Sequence, residues 1–358
     1  MKKKTIKIIK QIILFIIIIA TGLISCGDTI KYTFESKMSR IKIGLMTTAP
    51  DGIKNNVAAE LLNILLDDMF SNEIIVDYLE PKTAADYQPN LESFARSGYE
   101  LIFCTGTGLT DAVCIQAKRN PDIRYIIIDC LQEAIEFPKN VLGIRFNIYE
   151  AVYIAGIIAA NTTQADKIGI IIDENIPVKS AYAAAFYAGI LSQGKTNLEI
   201  NGLYMDTIKS DADFAHAIAN QLYAERHDII FTVANNANIG VVESARNKDL
   251  YAICSDIDLS NNDIPGNVLA SAVKNYNIIV HDLIREYLNN SFKGGETLIL
   301  GLKENGVDIK IPNCKLPVSD ETLNKIENAK EKIINGLIKI PSDENELLKD
   351  FPEINFMK

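Results

Sequence analysis

ELIFCTGTGLTDAVCIQAKRNPDIRYIIID, residues 100–129, holds two short apolar runs, 100–104 and 125–129, separated by an amphipathic stretch of helical length. Short β-rich runs bounded by turn residues read as buried strands, and strand, helix and strand in that order read as a βαβ unit with parallel strands. Working outward, the same alternation places strands at 41–46 and 74–79. It starts afresh after 141–146, with strands at 167–172, 198–204, 228–233 and 250–255 and helical patterns at 151–160, 179–191, 212–225 and 239–247. Two similar α/β units in series follow. Ribbon-like segments at 267–273 and 297–311 and a helix at 321–335 then pass back across both units. No low-complexity linker parts the halves, so several close crossovers join them rather than one floppy hinge.

The 358 residues carry 46 acidic against 36 basic side chains, a formal net charge of -10, 48% apolar residues, six cysteines and no tryptophan. The chain is too apolar to be disordered, and its acidic balance argues against nucleic acid, whose phosphates require clustered Lys and Arg. The charge is unevenly placed. Lys2, Lys3, Lys4, Lys7 and Lys10 precede an uncharged run from 12 to 26 that ends in Leu23, Ile24, Ser25 and Cys26. A spanning helix needs about 20 apolar residues, and this core is shorter, so residues 1–25 read as a signal peptide. Its end resembles the bacterial lipobox, which makes Cys26 the lipidated first residue of the mature chain. An uncleaved anchor helix would also hold the body outside the cytoplasm. Residues 27–39 read as a polar tether without periodicity.

Cys104, Cys114, Cys130, Cys254 and Cys314 show no C-x-x-C spacing and read as thiols, three of them in apolar runs. His216, His227 and His281 lack metal-ligand spacing and read as ordinary surface or helix residues. No metal, cofactor or catalytic group is signalled.

Parallel sheets bind ligands beyond the carboxyl ends of their strands. The residues there are Thr47, Thr48, Thr105 to Gly108, Asp129, Asn235, Asn236, Asp256 and Asp258. Carboxylates, amides and hydroxyls in that mixture suit a polyhydroxylated or amide-bearing solute and serve an anion poorly. Gly106, Gly108 and Asp129 imitate a dinucleotide fingerprint, but Asp111 stands where the third glycine belongs and would repel a pyrophosphate, which leaves a tight turn lining a cleft. Asp256 and Asp258 alternate, so on an extended segment at most one faces the ligand, and Asp256 is preferred.

Several stretches carry a family likeness: YLEPKTAADYQPNLESFARSGYELIF (78–103), NPDIRYIIID (120–129), NIPVKSAYAAAFYAGI (175–190), PGNVLASAVKN (265–275), LGLKENGV (300–307) and NAKEKIINGLIKIP (328–341). In that order they resemble the basic membrane protein family of PnrA-like lipoproteins, similar to a purine nucleoside receptor that feeds an ABC importer. The resemblance implies a type I periplasmic-binding-protein fold: two Rossmann-like lobes with parallel sheets and a cleft between them. On that fold lobe 1 takes 40–146 with about 275–318 returning to it. Lobe 2 takes 147–274 with about 319–342, and 343–358 is a C-terminal tail.

The resemblance also implies site residues. Asp129 ends the IIID strand, Asp256 and Asp258 follow the later one, and Lys274 is the lysine of the SAVK segment. In the family an acid and this lysine hold ribose hydroxyls, another acid reads the base, and aromatics sandwich it. Tyr182 and Phe186 fall on the aromatic positions, although two aromatics four apart on one helix face more often mean core. The chain departs from the pattern at TTAPDGIKNN (47–56), where Lys54 takes the stacking aromatic's place and Asn55 keeps the asparagine. Asn235, Asn236 and Asn238 replace glycines.

The expected function is a lipid-anchored, extracytoplasmic protein that captures a nucleoside, a purine nucleoside by family default, and delivers it to ABC permease subunits without performing chemistry. A surface interaction lipoprotein with an altered or lost cleft is the alternative from another class. An exported nucleoside-processing enzyme lacks a convincing acid cluster.

Overall fold

The computed structural model describes residues 30–35, 41–48, 56–66, 74–130, 136–176, 178–195, 197–205, 211–256, 258–259, 266–352, 354 and 356–357. The signal peptide, Cys26, Lys54 and Asn55 lie outside them. The chain divides into two compact units, one reaching to Gly143 and taking in Lys293–Glu296, the other formed by Ile144–Phe292 and Thr297–Lys358.

The first unit contains β1 (Ile30–Glu35), β2 (Ile41–Thr47), α1 (Asn56–Leu65), β3 (Ile74–Glu80), α2 (Tyr87–Arg96), β4 (Leu101–Thr105), α3 (Thr110–Arg119) and β5 (Arg124–Ile128), and leads into β6 (Val141–Phe146). The sheet order is β1, β3, β2, β4, β5, β6. β2 pairs with β3 and β4, and β4 with β5, all in parallel. β4 is buried along its whole length, as expected of a strand covered on both faces. Register pairs Thr47 with Thr105 and Thr105 with Ile128, which brings the carboxyl ends of β2, β4 and β5 to one level.

β1 corrects the reading of 27–39 as a tether. Ile30, Tyr32 and Phe34 alternate with Lys31, Thr33 and Glu35, a strand's period of two. The segment adds antiparallel to β3, from Ile30 opposite Glu80 to Glu35 opposite Ile75.

The second unit continues with α4 (Tyr149–Thr162), β7 (Lys167–Asp173), α5 (Lys179–Leu191), β8 (Glu199–Met205), α6 (Ala212–Ala224), β9 (Ile229–Val233), α7 (Asn238–Lys248), β10 (Tyr251–Ser255), β11 (Val268–Lys274) and α8 (Tyr276–Leu288). After these come β12 (Glu296–Leu300), β13 (Val307–Lys310), α9 (Asp320–Ile334) and α10 (Glu344–Asp350). The second sheet runs β13, β11, β10, β9, β7, β8, and β13 lies antiparallel on β11. β12 instead continues the first sheet beside β6. The ribbon read over 297–311 is therefore two strands serving different sheets, parted by a turn in which the Gly306 N–H donates to the Gly301 carbonyl at 2.8 Å. Of the segment expected to return to lobe 1, α8 and β13 belong to the second unit.

α4 and α5 approach unusually closely, and glycine permits it. A Cβ on Gly189 would stand 2.0 Å from the Tyr153 carbonyl oxygen, and one on Gly156 would stand 2.3 Å from that of Phe186. Neither helix has a solvent face of any breadth: Ala151–Ala160 and Ala181–Ile190 are buried throughout.

The expected C-terminal tail is docked structure. Asp343 caps α10 by accepting the Glu346 N–H at 2.8 Å, Leu347 is buried, and the Phe356 ring lies 5.2 Å from that of Tyr187. His227 is likewise no surface residue. It is buried, with ring nitrogens 2.7 Å from the Leu222 carbonyl oxygen and from Asn201 Oδ1.

Candidate functional site

Four of the strand-following candidates share one backbone feature. Gly106 after β4, Asp129 after β5, Asn235 after β9 and Asp256 after β10 have φ of 100°, 58°, 48° and 66°. Left-handed geometry is costly for residues with a Cβ, and Asn and Asp tolerate it best. It turns the chain out of the ladder where the strand ends. Asp256 is therefore not on an extended segment, and the alternation used to choose between Asp256 and Asp258 does not apply.

In the second unit three predicted residues meet. Asp256 Oδ1 accepts a hydrogen bond from the Tyr182 hydroxyl at 3.0 Å and pairs with Lys274 Nζ at 3.1 Å. The Lys274 and Asp256 side chains keep 11% and 12% of their exposure, so the pair is largely withdrawn from water, where charge-assisted hydrogen bonds are strong. β10 and β11 lie parallel with Ser255 opposite Ala272, which delivers Asp256 and Lys274 to the same edge of the sheet. Both contacts fall on Oδ1, and among the described residues Oδ2 takes none. An ionised carboxylate accepts about four hydrogen bonds, so the cluster can receive a hydroxyl or amide donor of a solute.

Tyr182 enters this cluster through its hydroxyl, and its ring stands edge-on to Tyr149 with centroids 5.3 Å apart. Phe186 is a correction. It has no exposed surface and stacks on Phe231 with centroids 4.2 Å apart, inside the core of the second unit. Helical spacing put both aromatics on one side of α5, but the inward position four residues on belongs to packing.

Asn235 and Asn236 are exposed in the short turn between β9 and α7. Asn238, noticed in the sequence only as an amide in place of a glycine, is fully buried. Its Oδ1 accepts from the Thr232 hydroxyl at 2.9 Å and the Ala234 N–H at 2.8 Å, and its Nδ2 donates to the Ser255 carbonyl at 3.1 Å. No periodicity or motif marks such a residue; only the tertiary packing of β9 against β10 does.

In the first unit, Gly106 and Asp129 lie on the carboxyl edge of the sheet. The Gly106 N–H donates to the Ile128 carbonyl at 3.2 Å, and the Thr48 N–H to the Thr105 carbonyl at 3.2 Å, extending the ladders one residue past the strands. A Cβ on Gly106 would come within 2.8 Å of the Thr48 side chain, so this turn requires glycine twice over, for space and for φ. The buried thiols of Cys104 and Cys254 are pushed up by desolvation, that of Cys254 to about 12, and so are poor nucleophiles. Among the described residues no three His, Cys, Asp or Glu side chains gather to hold a metal ion. Nor is any helix among them long and apolar enough to cross a membrane.

Comparison with known proteins bears on the family and the fold. The family described as ABC transporter substrate-binding protein PnrA-like matches residues 47–344. Basic membrane protein B of Borrelia garinii subsp. bavariensis is 31% identical, over 92% of this chain and 95% of its own. The ABC transporter nucleoside-binding protein BmpA of Lactococcus lactis subsp. cremoris is 30% identical over 74% and 78%. Among solved structures, an ABC transporter solute-binding protein from Aeropyrum pernix K1 superposes with a TM-score of 0.69 at 19% identity, covering 87% of this chain and 97% of its own. The fold is of the type I periplasmic-binding-protein kind.

Proposed function

The chain belongs to the PnrA-like family of ABC transporter substrate-binding proteins, and from that premise we propose that its solute is a nucleoside, purine nucleosides foremost. Proteins of this family bind and hand over a solute outside the cytoplasm and do no chemistry on it. The observation that carries the nucleoside reading is the Asp256, Lys274 and Tyr182 cluster. Ribose hydroxyls both donate and accept. A carboxylate with an unused oxygen beside an ammonium matches a vicinal diol, and would have little to offer a phosphate or carboxylate solute. Its agreement with the Lactococcus relative's description as nucleoside-binding supports the same reading. With Asp256 beside the lysine, Asp129 is the acid left for the second role, reading the edge of the base; Gly106 in the first unit and Asn235 and Asn236 in the second also follow the carboxyl ends of strands.

Residues 1–25 are read as the export signal and Cys26 as the lipid anchor that keeps the protein beside its permease. Titration calorimetry of the chain that starts after Cys26, with adenosine, guanosine, inosine and cytidine, tests the solute. One-to-one binding of at least one purine nucleoside is expected. Silence with all four sinks the reading in favour of a surface interaction protein, and release of free base and ribose would make the protein an enzyme. Mass spectrometry of the membrane-extracted protein should find a lipidated Cys26 at the amino terminus; a membrane-bound chain that keeps residues 1–25 would point to an uncleaved anchor.

A further inference from the structure

We propose that Asn238 is the positioning residue of the site: it holds the Ser255–Asp256 peptide plane in the one orientation that aims the Asp256 carboxylate at Lys274 and Tyr182. The plane is pinned at both ends. Its N–H, on Asp256, donates to the Ala272 carbonyl at 2.9 Å, and its C=O, on Ser255, accepts from Asn238 Nδ2 at 3.1 Å. Asp256 has φ of 66°, which the local chain does not favour and which persists only where the surroundings over-determine it. Rotation of this plane about its two flanking bonds is the cheapest way to relieve that φ, and it would swing the carboxylate away from the strand end. The Ala272 contact alone leaves the carbonyl end free to leave.

The orientation of the Asn238 amide is not arbitrary. Two donors, the Thr232 hydroxyl and the Ala234 N–H, converge on Oδ1, so Nδ2 must face the Ser255 carbonyl. A fully buried amide with these contacts locks the exit of β9 to the exit of β10. It does so without reaching solute itself, since none of its surface is exposed.

Asn238→Asp and Asn238→Ala test this in two ways. Asn238→Asp keeps an acceptor for Thr232 and Ala234 but turns the Nδ2 donor into an oxygen that repels the Ser255 carbonyl. In the solute-free protein, hydrogen exchange of the Asp256 amide should quicken at least tenfold in Asn238→Asp, while the amides of β7 keep their rates and so certify the fold. Unchanged exchange at Asp256 overturns the proposal. The binding arm rests on the nucleoside reading and compares a nucleoside with its 2′,3′-dideoxy counterpart, which lacks the diol. Both variants should lose tenfold or more in affinity for the nucleoside and less than twofold for the dideoxy compound. Equal losses for the two would assign Asn238 a merely structural role and overturn the proposal. A wild-type protein that binds neither compound refutes the nucleoside reading alone, and the exchange measurement still decides the role of Asn238.

Discussion

Asp256→Asn and Lys274→Met remove opposite halves of one ion pair, and their consequences differ. Asn keeps an acceptor for the Tyr182 hydroxyl but withdraws the charge that Lys274 faces at 3.1 Å. Lys274→Met deletes the ammonium and keeps much of its stem's packing, while leaving a largely buried carboxylate with one fewer donor. Breaking a buried pair from one side costs about 3–5 kcal/mol in general, and the remaining exposure here favours the low end. Both variants should therefore melt earlier, and both should lose nucleoside affinity by about a hundredfold, equivalent to about 2.7 kcal/mol. Chemical denaturation and calorimetry on the same samples check this; wild-type affinity in either variant would remove the pair from the site. At this scale Asp256 and Lys274 were legible because strand ends are where parallel sheets bind and a family pattern names them. The different surroundings of Tyr182 and Phe186 were not, since helical periodicity gives a face and cannot say that one hydroxyl reaches Asp256 while the other ring stacks on Phe231. Asn238 was least legible, because its partners Thr232, Ala234 and Ser255 come together only when β9 and β10 pair.

Elements fared better than single residues, for a physical reason. Strands buried on both faces must be apolar along their length, so β4, β5, β7, β9 and β10 were visible to within a residue or two. β1 was missed because an edge strand carries only an alternating, weaker signal, and Lys31 and Glu35 made IKYTFE read as polar. The contact of α4 with α5 was equally hidden: two glycines in Ala-rich helices look like poor helix formers rather than a meeting point. Gly189→Ala tests the contact. Intrinsic helix propensity predicts a gain of about 1 kcal/mol. The clash of the new Cβ with the Tyr153 carbonyl, 2.0 Å away without relaxation, forces the helices apart and should cost about 1–3 kcal/mol or more. Net destabilisation is expected in urea unfolding, together with weaker nucleoside binding, because α5 carries Tyr182 to Asp256. A stabilised variant would show that the helices are not in contact there.

At the scale of the whole chain, composition and repetition of the βαβ pattern suffice for two α/β units, while residues 343–358 read as a tail on the fold that the resemblance implies. The structure docks them instead onto the second unit. The Glu344 N–H donates to the Ser180 hydroxyl at 3.1 Å, Phe356 meets Tyr187, and the Met357 sulfur lies over Gly202 of the edge strand β8, where a Cβ would meet it. Ser180 and Tyr187 belong to α5, so the segment braces the helix that bears Tyr182. Burial of Leu347 and Phe356 favours docking and the ordering of the backbone opposes it, and the difference between the two sets a ceiling on what any one contact of the segment can contribute. Because the chain end can always let go, Leu347→Ala or Phe356→Ala cannot destabilise the protein by more than loss of the whole segment does. Truncation after Ser342 and the two point variants, compared by thermal unfolding, should rank accordingly, with the truncation lowest in Tm. A point variant that melts below the truncated chain would mean that residues 343–358 are not an independently detachable brace but part of the core of the second unit.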